Sequence, residues 1–219
     1  MKILYEDKYI IICEKPIGVQ SQSSVGGKDM PSLLEKYRRD KGEDGYVGVV
    51  HRLDTATGGA MIYAKDKGVA GKLSQSIQGD TYKKEYLAVV EGKPENDAGE
   101  LRDLLYHDKQ KNKSYVVKKS RNGVKEAIAH YRLVKTVELD SGRAVSLVSV
   151  LLVTGRTHQI RVQFASRGMP LLGDGKYGSR DNATTPALWS SKLEILHPVT
   201  NKKICVESCP SDTYPWTLF

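Results

Sequence analysis

Short apolar runs separated by polar turns dominate the chain and predict more strands than helices. Lys2 to Tyr5 and Tyr9 to Cys13 flank Glu6-Asp7-Lys8 and read as a hairpin. The run Tyr46 to Val50 predicts a buried strand, and Ala60 to Ala64 a second. From Thr81 to Gly92 strict alternation sets Tyr82, Lys84, Tyr86 and Ala88 on one face of a strand and Lys83, Glu85, Leu87 and Val89 on the other. Leu101 to Tyr106 and Ser114 to Lys118 are shorter candidates. Ala127 to Glu138 and Arg143 to Val153 read as a long pair around Asp140-Ser141-Gly142. Ala187 to Leu196 and Lys203 to Glu207 close the pattern.

The period changes to helical in three places. Ser32 reads as the cap of a helix with Leu33, Leu34 and Tyr37 on one face and Gly42 past its end. Asp66 caps a second, about Lys67 to Ile77, with Val69, Ala70, Leu73 and Ile77 in register. A third, capped near Thr157 and stopping at Gly168, buries Ile160 and Phe164. Gln20 to Lys28 reads as a mobile loop, and the polar segment Asp108 to Lys113 as a solvated one. Leu171 to Gly178 is glycine-rich but lacks the phosphate-loop pattern, so it reads as a shaped turn. Strands outnumber helices, no repeat or linker stands out, and the fold class is α+β, β-rich, in one domain over residues 1–219.

Charge narrows the class. In 219 residues, 34 Lys and Arg face 26 Asp and Glu, a net +8 that favours a polyanionic partner. No apolar run approaches the roughly 20 residues that span a bilayer, and the first residues form a strand pattern rather than a secretory signal. Cys13, Cys205 and Cys209 do not complete a zinc set and read as buried reduced thiols, which points to the cytoplasm.

Two stretches carry candidate chemistry. His51-Arg52-Leu53-Asp54-Thr55-Ala56-Thr57-Gly58-Gly59 sets a carboxylate beside an arginine and a histidine between two strands, although Asp followed by Thr and Gly also makes simple Asx turns. Around Gly155 to Arg161, Arg156, His158, Gln159 and Arg161 crowd the start of a helix, where positive charge gains nothing from the dipole; an anion or a buried carboxylate is expected opposite. Lys15-Pro16-Ile17-Gly18 is a rigid turn whose lysine could meet a phosphate. A Ser-His-Asp hydrolase lacks its nucleophile elbow, a metal site on His51, Asp54 and His158 lacks paired spacing, and a glycosidase lacks its second acid. A lone carboxylate among cations remains.

His51-Arg52-Leu53-Asp54 with Thr57-Gly58-Gly59 resembles the H-R-L-D-x-x-T-S-G signature of the RluA-type family of RNA pseudouridine synthases. Lys15-Pro16-x-Gly18, Lys84-x-Tyr86, Gly155 to Arg161, Leu172-Gly173-Asp174-x-x-Tyr177-Gly178 and His197-Pro198 agree in order, so the resemblance covers about Ile3 to Glu207. Gly58 replaces the signature's Ser, and Leu188-Trp189-Ser190 stands where Leu-His-Ala is common. The resemblance implies a mixed, mostly antiparallel sheet with flanking helices and a central basic cleft, without the appended N-terminal RNA-binding domain of many relatives. It implies isomerisation of uridine to pseudouridine in ribosomal or transfer RNA, with no cofactor and no metal, by a cytoplasmic monomer. Asp54 matches the essential carboxylate, Tyr86 the tyrosine that stacks on the target base, Arg161 the arginine that pairs with the aspartate, and Arg52 the arginine that helps extrude the nucleotide. His51, Lys15, Arg156, His158 and Gln159 are further expected RNA or pocket contacts.

Overall fold

The computed structural model describes residues 1–79, 81–181, 183 and 185–219, and the side chain of residue 78 is likewise not described. The chain divides into two compact units, Met1–Lys84 with Ser190–Pro210, and Glu85–Trp189 with Ser211–Phe219.

In the first unit, β1 (Ile3–Glu6) and β2 (Ile10–Lys15) form the expected antiparallel hairpin. Asp7 Oδ1 accepts the backbone N–H groups of Tyr9 and Ile10 at 2.7 and 2.9 Å and so closes the turn. β2 pairs antiparallel with β4 (Gly58–Ala64), from Ile10 opposite Ala64 to Lys15 opposite Gly59. β4 is flanked on its other edge by β10 (Leu188–Leu196), which pairs antiparallel with β11 (Lys203–Glu207). All of β4 is buried, consistent with its continuous apolar run. Ile10, Ile12, Ile62, Leu193 and Ile195 form a core with Val69 and Leu73 of α2 (Lys67–Gln78). Asp66 caps α2 as expected, accepting from the N–H groups of Gly68 and Val69.

Three local expectations change. The run Tyr46 to Val50 yields only β3 (Gly48–Val49), two residues paired with Ala64 and Tyr63 of β4, and Val49 is exposed. The helix expected from Ser32 is α1 (Met30–Asp40); its cap is Asp29, whose Oδ1 accepts the Ser32 N–H at 2.8 Å, with Pro31 in the first turn. Its buried face is accordingly Met30, Leu34 and Arg38, while Leu33 is exposed. Residues 20–28 are tied down at both ends: the Gln20 N–H donates to the Lys28 carbonyl, the Met30 N–H to the Gln20 carbonyl, and Asp29 Oδ2 accepts from Ser24.

The second unit orders its strands β5 (Lys83–Glu91, its first two residues lying in the first unit), β9 (Ala144–Leu152), β8 (Val124–Glu138), β6 (Ala98–Asp108) and β7 (Lys113–Val117). β8 and β9 form the expected long hairpin, with an irregularity between Leu133 and Lys135. β6 is antiparallel to β7 on one edge and to β8 on the other. Val89, Val145, Leu172 and Ala187 form a core that Trp216, Leu218 and Phe219 pack against. α3 (Gln159–Ala165) docks Val162 on Leu105 and Ala127. Among the described residues no helix is long and apolar enough to cross a membrane.

Candidate active site

The loop bearing Asp54 hangs between β3 and β4 and is braced by the residues that follow β2. The Ser21 hydroxyl donates to the Leu53 carbonyl at 2.6 Å and accepts the Leu53 N–H at 2.9 Å, with both residues buried. The Gly18 N–H donates to the Thr55 carbonyl at 2.8 Å. The Thr57 N–H donates to the Asp54 carbonyl at 2.9 Å, so the turn is closed by the aspartate's backbone oxygen. Where the loop runs into β4, Gly59 has φ of +110°, and a Cβ there would stand 2.3 Å from the Ser190 carbonyl oxygen. Only glycine fits so close an approach to β10. Ser190 itself donates to the Ala60 carbonyl at 2.9 Å.

Lys15 and His51 face inward. Lys15 is fully buried, and its ammonium donates to the carbonyls of Pro16, Val19 and Thr55 at 2.9, 2.7 and 3.2 Å. Three hydrogens meet three acceptors, so Lys15 bolts its turn to the Asp54 loop and is not placed to meet a phosphate. Burial pulls its pKa down to about 8, with the nearby Asp54 carboxylate acting in the opposite direction. His51 Nε2 accepts the Ile62 N–H at 3.0 Å and lies 3.3 Å from the Tyr82 hydroxyl. An acceptor nitrogen requires neutral imidazole; burial, aided by the Lys84 charge, lowers the His51 pKa to about 3. These bonds fix the loop to β4, so the Nε2 of a residue expected to contact RNA or line the pocket is engaged within the protein. Asp54 is partly exposed and Arg52 exposed. The first unit thus carries a partly exposed carboxylate and, two residues before it, an exposed arginine, on a loop braced by hydrogen bonds at Leu53, Asp54 and Thr55.

In the second unit one of the cations crowded around the start of α3, Arg161, does meet a buried carboxylate. Arg161, 6% exposed, donates through Nε and Nη2 to Asp174 Oδ2 and Oδ1 at 2.6 and 2.7 Å. This is the bidentate geometry that suits guanidinium and carboxylate. The Tyr177 ring, in the same turn as Asp174, lies 5.1 Å from the guanidinium carbon. The Tyr177 hydroxyl accepts the Ser114 N–H at 2.8 Å, leaving its own hydrogen for His158 Nδ1 at 2.9 Å. Burial raises the Tyr177 pKa. His158 is buried and left-handed, with φ of 55°, at the cap position expected for Thr157.

Gln159 is also committed internally: Oε1 accepts from the Thr154 hydroxyl and the Arg156 N–H at 2.8 and 3.0 Å, and Nε2 donates to the Ile128 carbonyl at 3.1 Å. It holds the loop before α3 and is not presented to RNA. Arg156 is exposed, its Nε donating to the Glu126 carbonyl at 2.9 Å. Tyr86 is buried on β5. Asp174, Tyr177 and Ser21 stand outside the expected site residues, although Asp174 and Tyr177 belong to the Leu172 to Gly178 stretch that agrees with the family, and a carboxylate was expected opposite the cations around Arg161. Among the described residues no group of three or more His, Cys, Asp or Glu side chains could hold a metal ion.

Residues 9–166 match the family model described as RNA pseudouridylate synthase. The uncharacterized RNA pseudouridine synthase YhcT of Bacillus subtilis (strain 168) is 32% identical over 212 residues, which cover 95% of this chain and 68% of the relative. Ribosomal large subunit pseudouridine synthase D of Pseudomonas aeruginosa is 31% identical over 235 residues, 100% of this chain and 71% of the relative. The enzyme of the same name from Nitrosomonas europaea is 35% identical over 221 residues, 95% and 61%. The chain therefore spans about two thirds of the length of these relatives. Among solved structures, Human RNA Pseudouridylate Synthase Domain Containing 4 superposes with a TM-score of 0.79 at 20% identity, over 99% of this chain and 91% of that one, a likeness of fold.

Proposed function

The chain belongs to the RNA pseudouridylate synthase family, and from that premise we propose that it isomerises uridine to pseudouridine in RNA, with Asp54 as the essential carboxylate. The reading is carried by one observation. The matched segment holds Asp54 on a partly exposed loop cross-braced by Ser21, Gly18 and Lys15. A carboxylate so held is aimed rather than merely tethered. In the reaction the N1–C1′ bond breaks, the base turns, C5 bonds to C1′, the C5 proton is lost and N1 regains one. Atoms balance within the nucleotide, and no co-reactant is consumed. Asp54 serves either by attacking C1′ or by removing the 2′ proton.

The resemblance supports the remaining roles. Tyr86 stacks on the target base and assists loss of the C5 proton, Arg161 supports the aspartate, and Arg52, exposed beside Asp54, helps hold the nucleotide out of its stack. Arg156, exposed at the start of α3, contacts the RNA backbone. Ribosomal RNA of the large subunit is the first substrate to test, because two of the relatives above carry it in their names; transfer RNA is the other substrate class. We further propose a cytoplasmic monomer, which sedimentation at working concentration checks.

The test is release of tritium from RNA labelled at uridine C5. The wild-type chain should release label from ribosomal RNA lacking its own modifications, and Asp54→Asn should lower the rate by at least about a thousandfold, the scale for removing a group that makes or breaks the bond. No release from ribosomal or transfer RNA, under conditions where an authentic synthase works, would overturn the assignment.

A further inference from the structure

The stretch from residue 109 to residue 125 contains Lys109, Lys111, Lys113, Lys118, Lys119, Arg121 and Lys125 and no acidic residue. It spans the tip of the β6–β7 hairpin, β7, and the connection to β8. Antiparallel pairing brings its two loops to one end of β6: Lys113 lies opposite Asp108, Val117 opposite Leu104, and Val124 opposite Tyr106 on the other edge. The loops are thus only about 10 Å apart along the strand, at roughly 3.3 Å per residue.

Six of the seven cations are exposed and Lys113 is half-buried, yet none forms an ion pair among the described residues. Elsewhere basic residues are commonly matched: Arg38 with Glu43 and Asp44, Lys65 with Glu6 and Glu43, Arg167 with Asp103. The acid that opens the first loop is committed to the backbone, Asp108 Oδ1 accepting the N–H groups of Gln110 and Lys111 at 3.0 Å each. Two of the cations are steadied by rings instead: Arg121 lies 4.9 Å from the Tyr106 centroid, and Lys113 5.3 Å from that of Tyr177. Lys176 Nζ donates to the Asn112 carbonyl at 3.1 Å, and Ser114 Oγ to the Thr157 carbonyl at 2.6 Å, which fastens the hairpin tip to the turns around α3. Concentrated like charge on a fastened scaffold, without internal neutralisation, is a standing electrostatic cost that a polyanion relieves.

We propose that this acid-free edge of the second unit is the surface on which the phosphate backbone of the substrate RNA docks. The inference rests on the RNA-modifying function above and names where the second unit holds its substrate. Contacts of this kind set register and affinity and carry little sequence information. Each docked cation releases a counterion, so the surface writes itself into the salt dependence of binding.

The experiment compares two quadruple variants of equal charge change. One is Lys109→Gln, Lys111→Gln, Lys118→Gln and Lys119→Gln. The other is Lys67→Gln, Lys72→Gln, Lys93→Gln and Lys202→Gln, four exposed lysines outside the edge. Binding of a labelled transcript of large-subunit ribosomal RNA is followed from about 50 to 200 mM salt, alongside melting temperature. The edge variant should keep its melting temperature, lose at least about tenfold in affinity, and flatten the log–log salt slope by about 3, at 0.7 to 0.9 per lost phosphate contact. The control should keep the wild-type slope. Equal slopes for the two variants, or an unchanged slope for the edge variant, would overturn the proposal. So would an edge variant that loses binding to phosphatidylserine vesicles but keeps its binding to RNA. Binding is read without catalysis, so a wild-type chain that releases no tritium refutes the enzymatic reading without deciding this one.

Discussion

Asp54 and Arg161 are held by opposite physical strategies. The Asp54 loop is fixed by hydrogen bonds to backbone groups: Ser21 to both polar groups of Leu53, His51 to the Ile62 N–H, and Lys15 to three carbonyls. Arg161 is fixed by charge, in a buried bidentate pair with Asp174 and against the ring of Tyr177. The first arrangement spreads its stability over many modest contacts, each worth roughly 1 kcal/mol net. The second concentrates it in two carboxylate oxygens, so that one substitution leaves a charge in a poor environment. Asp54 in the first unit is partly exposed, whereas the guanidinium of Arg161 in the second is buried and oriented by its pair with Asp174.

The sharpest break of this contrast is Asp174→Asn, which keeps shape and removes charge. It should destabilise the chain by on the order of 3 kcal/mol, the scale for breaking a buried ion pair. Urea unfolding at neutral pH measures this. A loss below about 1 kcal/mol would mean that the pair is not what holds Arg161.

Lys15→Met probes the other strategy. It takes the ammonium donor from the carbonyls of Pro16, Val19 and Thr55, of which Pro16 keeps the Val19 N–H and Thr55 the Gly18 N–H, at a cost of about 1–3 kcal/mol, partly offset because a buried charge is removed as well. The pH dependence identifies the residue. Its folded pKa, about 8, lies below the ordinary lysine value of 10.5, so between the two the unfolded chain binds more protons. Wild-type stability should therefore carry a rising component from about pH 8 to 10.5, since the burial of an ammonium no longer counts against the fold once it is neutral. Lys15→Met should lack that component. Parallel stability–pH curves for the two chains would show that Lys15 is not buried as a charge.

The legibility of these features follows their range along the chain. The cap of α2 at Asp66 and the β8–β9 hairpin are local, and the residues that make them adjoin the elements they shape. For α1, both Ser32 and Asp29 are good caps; Pro31, which belongs just inside a helix, was the overlooked arbiter. The stub β3 shows the limit of an apolar run, for strand length is set by how much of β4 remains to be paired. Arg161 announced a buried carboxylate by its position against the helix dipole, but several acids could have answered, and only the fold selects Asp174. Lys15 gave no such sign. A lysine on a Pro-Ile-Gly turn reads as a surface cation because lysines seldom bury, and its three carbonyls come from residues 16, 19 and 55. Gln159 gives no sign of its partners for the same reason: they are ordinary backbone groups and a threonine.

Tyr177 lets the comparison be drawn within one side chain, since its hydroxyl works in the first manner and its ring in the second. Tyr177→Phe removes only the hydroxyl, leaving the buried Ser114 N–H without its acceptor and His158 Nδ1 without its partner. The cost should be about 1 kcal/mol in a thermal or urea melt, with catalytic turnover close to wild type, because the ring still lies against Arg161. Tyr177→Leu removes the ring as well, and with it a cation–π contact worth roughly 1 kcal/mol more. If the ring orients Arg161, the second variant should lose turnover beyond its loss of stability, and should lose it in kcat more than in KM. Equal turnover in the two variants would show that the ring does not orient Arg161, and the arrangement would then rest on charge pairing, the bidentate pair with Asp174 included.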